Sequence, residues 1–218
     1  MCNRYQNKAM SAEVADHFRV APQNVMQFNV PTEVYPKYPG MVIRVTEGVR
    51  HLQAMTWGFP RHATSKKTGK PLKPTAINNA RDDRLLHPGW PWKESFEQRR
   101  CLIPLTSWAE AEGPPGQMTC TWYSLPDTEL FAVGGIWRST DEWGDCYSMV
   151  MVDGCDQMSD VHDRMPVILR PDSWNQWTSG TAADAMQLVS TCGDVLTVNR
   201  TPELWFQRKG APSSPILI

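Results

Sequence analysis

The sequence predicts an α+β fold: a single domain with a curled, mainly antiparallel, barrel-like sheet and a few short helices. Three observations carry this reading. The chain has 218 residues, enough for one sizeable core, and length alone does not demand a second. Its apolar residues fall in short runs, β-branched or aromatic, bounded by Gly, Pro or Asp. Those runs are not separated by regular long helices, which argues against repeated βαβ units. The 18 prolines and 10 tryptophans fit the same picture of many short elements joined by fixed turns, with amphipathic aromatics to seat between them.

Taken in order, a helix is expected near Ala12 to Val20, with Ser11 as its N-cap and Val14 and Phe18 on one face. Strands follow at Met41 to Val45, Leu52 to Trp57, Cys101 to Leu105, Met118 to Tyr123 and Leu130 to Trp137. Further strands are expected at Tyr147 to Val152, Val167 to Leu169 and Val195 to Val198. Short helices are expected near Glu94 to Arg99, Ser173 to Thr178 and Ala182 to Val189. No repeat or low-complexity tract divides the chain, so residues 1–210 are read as one domain and 211–218 as a loose tail of Pro, Ser and apolar residues.

Composition narrows the function classes. A formal net charge of −1 excludes a polycation, so a nucleic-acid site must be a local basic patch. Such a patch exists: residues 61–73 read RHATSKKTGKPLK, with Arg61, Lys66, Lys67, Lys70 and Lys73 and no acid. Alone it is a solvated loop or a contact surface for phosphates. The first twenty residues hold no apolar core of a signal peptide, and no apolar run approaches a membrane span. The expectation is a cytoplasmic protein, monomeric, without a membrane partner. The six cysteines form no C-x-x-C pair and no zinc spacing, so no metal or other cofactor is expected and most cysteines read as small buried hydrophobes.

Four places could carry chemistry. Cys2 becomes the first residue if Met1 is removed, which puts an amine and a thiol on one residue, both with nucleophilic forms near neutral pH. The amine gives a Schiff base with an aldehyde, and the adjacent thiol closes a five-membered thiazolidine. Ile77-Asn78-Asn79-Ala80-Arg81 follows the basic stretch. Its amides hold amines or hydroxyls and its arginine pairs with phosphate, although alone it reads as an Asn-rich turn. Trp108-Ala109-Glu110 lies just beyond the strand at Cys101, where a carboxylate is either a raised acid/base or a solvated turn residue. His162, in VHDRMP ahead of Val167, sits in a polar loop and titrates near neutrality, as a structural or an acid/base residue.

Taken together and in order, MCNR, TWGF, INNAR, RRCLIPLTSWAEA and VHDRMPVIL resemble the SOS-response-associated peptidase (SRAP) family, the abasic-site sensors. They are similar to its M-C-G-R start, W-G strand end, I-N-A-R motif, R-C-[LI]-[IV]-P-x-x-x-[FW]-[YF]-E-W segment and I-H-D-R-M-P-V-I-L. The resemblance spans nearly the whole chain. It implies a compact α+β fold with a basic groove for single-stranded DNA, and a thiazolidine crosslink between Cys2 and the ring-opened abasic sugar. It assigns Asn79 to positioning the Cys2 amine, Glu110 to proton transfer, and His162 to sugar ring opening and acid/base steps. Arg4 and Arg81 match phosphate-contacting arginines. Self-removal of Met1, peptidase activity and lyase activity are implied with them.

The chain departs from the pattern at several positions. Asn3 stands for the glycine after the nucleophile, Ala109 and Ala111 for aromatics beside Glu110, and Asp82 and Asp83 for the usual Ala-Glu after the arginine. Two other readings compete: an N-terminal-cysteine hydrolase such as a glutamine amidotransferase, and a non-catalytic single-stranded DNA-binding module using the basic loop and exposed tryptophans. No segment of the chain clearly supplies the oxyanion hole and glutamine clamp that the first requires.

Overall fold

A computed structural model describes residues 2–206; Met1, the boundary at 210 and the tail expected after it lie outside the described residues. In chain order the elements begin with β1 (Arg4–Gln6), α1 (Ser11–His17), β2 (Glu33–Val34), β3 (Pro39–Thr46) and β4 (Val49–Trp57). There follow β5 (Phe59–Arg61), β6 (Thr75–Ile77), β7 (Asn79–Arg81), α2 (Lys93–Gln98), β8 (Arg100–Leu105) and β9 (Ser107–Glu112). The remainder is β10 (Thr119–Ser124), β11 (Phe131–Thr140), β12 (Gly144–Asp153), β13 (Arg164–Pro166), β14 (Ile168–Leu169), α3 (Trp174–Ser179), α4 (Ala182–Met186) and β15 (Thr197–Leu204).

The fold is α+β, as the sequence predicts, and its sheet closes on itself. β12 pairs with β4, β4 with β3, β3 with β8, β8 with β11, and β11 returns to β12. Most of these pairings are antiparallel; β12 runs parallel to β4 and to β7. The closed ring removes the free edges that an open sheet of these strands would expose. A second antiparallel sheet runs β15-β10-β9-β1-β2. The chain crosses from ring to second sheet at Thr106, the single residue between β8 and β9, whose backbone N–H donates to Gln6 O at 2.8 Å.

Long apolar runs form the ring because both of its faces are covered: Leu102, Ile103, Val133, Ile136, Met149 and Val150 are all fully buried. Indoles are seated as their chemistry requires, body in the core and N–H on a carbonyl. Trp177 Nε1 donates to Cys101 O at 2.9 Å, and Trp57 Nε1 to Asn78 O at 3.0 Å. In α1, Val14 and Phe18 point inward as expected, but the first-turn carboxylate of Glu13 accepts from Met10 N–H, so the cap position is Met10 and not Ser11. Among the described residues no helix is long and apolar enough to cross a membrane.

Ring and second sheet meet at a pair of tyrosines. The hydroxyls of Tyr5 on β1 and Tyr147 on β12 hydrogen-bond to each other in the core, above the backbone of Gly40. A methyl group at position 40 would overlap both hydroxyls. Gly40→Ala is therefore expected to lower unfolding free energy by about 1–3 kcal/mol through overpacking, read from urea denaturation. Gly193→Ala, with no atom near the added methyl, is the control and should leave the transition midpoint almost unchanged.

Candidate active site

Cys2 lies two residues before the start of β1 and is fully buried. Its carbonyl accepts two side-chain amide protons, from Asn78 Nδ2 at 2.8 Å and Asn79 Nδ2 at 2.6 Å. Asn78 also donates to Asn3 Oδ1 at 3.0 Å. Asn79 opens β7, where it stands opposite Met149 of β12, and Asn78 precedes it with its own carbonyl accepting from Trp57 Nε1 and from Met149 N–H at 2.9 Å. The segment that reads as an Asn-rich turn or a motif is thus a buried strand edge that grips the start of the chain. Asn79 Oδ1 has no hydrogen-bond partner among the described residues, an acceptor left over beside Cys2. Cys2 Sγ donates to Arg4 O at 3.4 Å, and burial, with the charge of Glu110 second, pushes the thiol well above its ordinary range.

Glu110 does not lie in a turn beyond the strand at Cys101. It is in the middle of a separate strand, β9, flanked by β1 and β10, with Thr121 as its β10 partner. Only 1% of it is exposed, and Ala109 and Ala111 do not open it to solvent. Burial raises its pKa to about 7, with the charge of Asp163 adding a smaller push in the same direction.

His162 faces this carboxyl, Nε2 at 4.0 Å from Glu110 Oε2. Its Nδ1 accepts from the backbone N–H of Arg164 at 2.9 Å. That bond fixes the neutral tautomer, with the proton on Nε2 toward Glu110. Burial lowers the pKa of His162, against the partial compensation of Asp163 3.3 Å from Nδ1. Burial thus moves the two groups in opposite directions, the carboxyl up and the imidazole down, and favours an uncharged contact over an ion pair.

The four residues singled out for chemistry, Cys2, Asn79, Glu110 and His162, are therefore brought together by β1, β7, β9 and the loop before β13. The candidate phosphate contacts are dispersed. Arg4 is 4% exposed and lies inside the second sheet, 2.6 Å from Glu33 and 2.5 Å from Glu203, with Trp122 under its guanidinium; a phosphate there would have to displace two carboxylates. Arg81 is exposed and paired with Asp83. Arg61 closes β5, whose pairing with β6 makes the basic stretch an ordered hairpin with Lys66, Lys67, Lys70 and Lys73 outward. The hairpin is pinned by Ser65 N–H to Lys70 O at 2.9 Å and Leu72 N–H to Ala63 O at 2.9 Å, and β6 feeds directly into Asn78 and Asn79. Sequence reasoning does not single out Asn78 or the Tyr5–Tyr147 pair; the doubled asparagine is the available signal for the first. Among the described residues no group of three or more His, Cys, Asp or Glu could hold a metal ion.

The family model described as SOS response associated peptidase (SRAP) matches residues 1–201. Abasic site processing protein YoqW of Bacillus subtilis is 26% identical over 87% of this chain and 85% of its own length. Abasic site processing protein YoaM of the same organism is 25% identical over 86% and 84%. Among solved structures, a Bordetella bronchiseptica protein superposes with a TM-score of 0.72 at 23% identity, covering 92% of this chain and 99% of its own. A Bacteroides thetaiotaomicron protein gives a TM-score of 0.72 at 18% identity, covering 91% of each chain; both likenesses concern the fold.

Glu110 makes stability pH-dependent in a defined direction. Its folded pKa lies above the ordinary value of 4.5, so between 4.5 and about 7 the folded state binds more protons than the unfolded one. Its contribution to stability is present below that window and lost as pH rises through it. His162, lowered, contributes the opposite slope, losing stability as pH falls below 6.5. In Glu110→Gln the loss between 4.5 and about 7 should disappear, so the variant gains on the wild type as pH rises. Chemical denaturation across that range reads the difference; parallel curves would show that Glu110 titrates normally.

Proposed function

Because the chain belongs to the SOS response associated peptidase (SRAP) family and grips Cys2 beside a buried, protonatable Glu110, we propose that it captures abasic sites in single-stranded DNA as a covalent adduct. The proposed nucleophile is Cys2 after loss of Met1, and the adduct is a thiazolidine with the ring-opened sugar. The observation that carries the reading is the double amide grip on the Cys2 carbonyl, which commits two buried asparagines to fixing the residue that must react.

Each group has a step. With Met1 gone, the Cys2 amine adds to the sugar aldehyde to give a carbinolamine, and Asn79 Oδ1 accepts from that amine. Glu110, close to half-protonated near neutral pH, donates a proton to the departing hydroxyl, and water leaves to form the imine. The thiol sulfur then bonds to the imine carbon and its proton passes to the nitrogen, with Glu110 as carrier. A thiol held protonated by burial reacts late, so amine attack precedes ring closure. His162 presents an N–H through Nε2 and serves ring opening of the sugar hemiacetal, exchanging its proton with Glu110. Removal of Met1 by the chain itself, and any lyase step, belong to the same proposal, as does strand contact through Arg61, Lys66, Lys67, Lys70, Lys73 and Arg81.

Intact mass measured before and after mixing with an abasic single-stranded oligonucleotide tests the reading. The expected masses are those of the chain without Met1 and of that chain plus the oligonucleotide less one water. Reversible binding without a mass change would favour a DNA-binding module, and ammonia release from glutamine an amidotransferase. Cys2→Ala and Cys2→Ser retain an amine and form only a labile imine; a heat-stable adduct from Cys2→Ala at the wild-type level would falsify the assignment.

The basic hairpin is expected to add affinity and no chemistry. Replacing Lys66, Lys67 and Lys70 with Ala should flatten the dependence of binding on salt by about 0.7 in log–log slope for each phosphate no longer neutralised. The crosslinking rate at saturating DNA should stay at the wild-type value. Fluorescence anisotropy over a salt series measures the first and a gel time course the second.

A further inference from the structure

Two arginines near the site are already held by carboxylates, and two of those carboxylates come from the stretch directly after β7. Asp83 binds Arg81 in bidentate fashion, at 3.0 Å from Nε and 3.1 Å from a terminal nitrogen, and also lies 3.4 Å from Arg84 Nε. Arg164, two residues beyond His162, sits 2.7 Å from Asp82 and 3.2 Å from Asp153. The sheet explains the convergence. β7 and β13 flank β12 on opposite edges, since Met151 pairs with Arg81 on one side and with Pro166 on the other. Arg81 and Arg164 therefore emerge at the end of β12 that also carries Asn79 and leads to the His162 loop.

We propose that Asp82 and Asp83 are specificity-determining residues that occupy the phosphate-seeking faces of Arg164 and Arg81 and so hold down affinity for intact single-stranded DNA. The inference rests on the reading of this site as an abasic-site trap. A guanidinium presents the same fork to a carboxylate as to a phosphate, so the two compete for one geometry. Exposed ion pairs are weak, and Arg81 and Asp83 are each more than two-fifths exposed, so a strand can displace the carboxylate. The displaced carboxylate stays nearby as a like charge facing the backbone. Undamaged strand is then released quickly, and only a strand with an aldehyde at Cys2 is retained, by a bond rather than by charge.

The test is the double variant Asp82→Asn/Asp83→Asn, which keeps shape and hydrogen bonding while removing both charges. Anisotropy with an undamaged single-stranded oligonucleotide should show binding at least about threefold tighter, with a salt slope steeper by about 0.7 from Arg81, Arg164 losing one of its two carboxylate partners and keeping Asp153 at 3.2 Å. The crosslinking rate on abasic DNA at saturation should not change. A matched variant, Asp127→Asn/Glu129→Gln in the exposed turn before β11, controls for net charge. Unchanged or weaker binding by Asp82→Asn/Asp83→Asn, or equal tightening in the matched variant, overturns the proposal. Asp83→Asn alone, which removes the charge facing Arg81 and Arg84, gives the same slope change if the double variant folds poorly. A wild-type chain that forms no adduct with abasic DNA counts against covalent capture, whereas the intact-strand dissociation constants count for or against Asp82 and Asp83.

Discussion

The carbonyl of Cys2 receives protons from two neighbouring asparagine side chains, and the positions of both asparagines are set by β7 lying parallel to β12. Everything else at the site is arranged around that anchor. Trp57 holds the backbone of Asn78 from the ring side. β1 continues from Cys2 into the second sheet, where Arg4 is clamped between Glu33 and Glu203 and Tyr5 reaches Tyr147. A residue next to a chain end would ordinarily fray. Here the Cys2 carbonyl is held by two side-chain amides, and the chain enters a sheet two residues later at Arg4.

The second constraint is dielectric. Glu110 and His162 are adjacent, and water is kept from the first and partly from the second. Excluding water penalises whichever form is charged, so the acid is raised and the base lowered. Two groups that would form an ion pair in solvent are thereby shifted toward their uncharged forms. For the proposed reaction, a carboxyl that ionised far below neutrality would be a poor donor to a leaving hydroxyl. Ala109, small and fully buried, clusters with Cys120 and Trp122 on the face of β9 opposite Glu110.

How much of this is legible in the sequence follows from side-chain polarity. β3, β4, β8, β11 and β12 are long apolar runs, and each is found by alternation and composition to within a few residues. β1, β7, β9 and β13 escape that reading because they are short or turn polar residues inward: Arg4, Asn79, Glu110 and Arg164. These four strands carry the site. Local propensity fails where chemistry overrides it. Motif spacing nevertheless marks Cys2, Asn79, Glu110 and His162. What spacing does not reveal is pairing at long range. That Glu33 and Glu203 converge on Arg4, or that Asp82 reaches Arg164, depends on sheet order and not on any local pattern.

The closed ring also has a kinetic meaning. Its closure joins β4 to β12 in parallel, Thr56 beside Cys146, across a long intervening chain, and such non-local parallel pairings form late and slowly. β7 and β13 both dock on β12, so the asparagine grip and the histidine loop depend on the same central strand. The proximity of Cys2, Asn79, Glu110 and His162 is therefore a property of the closed ring as a whole, and no single hairpin contains it.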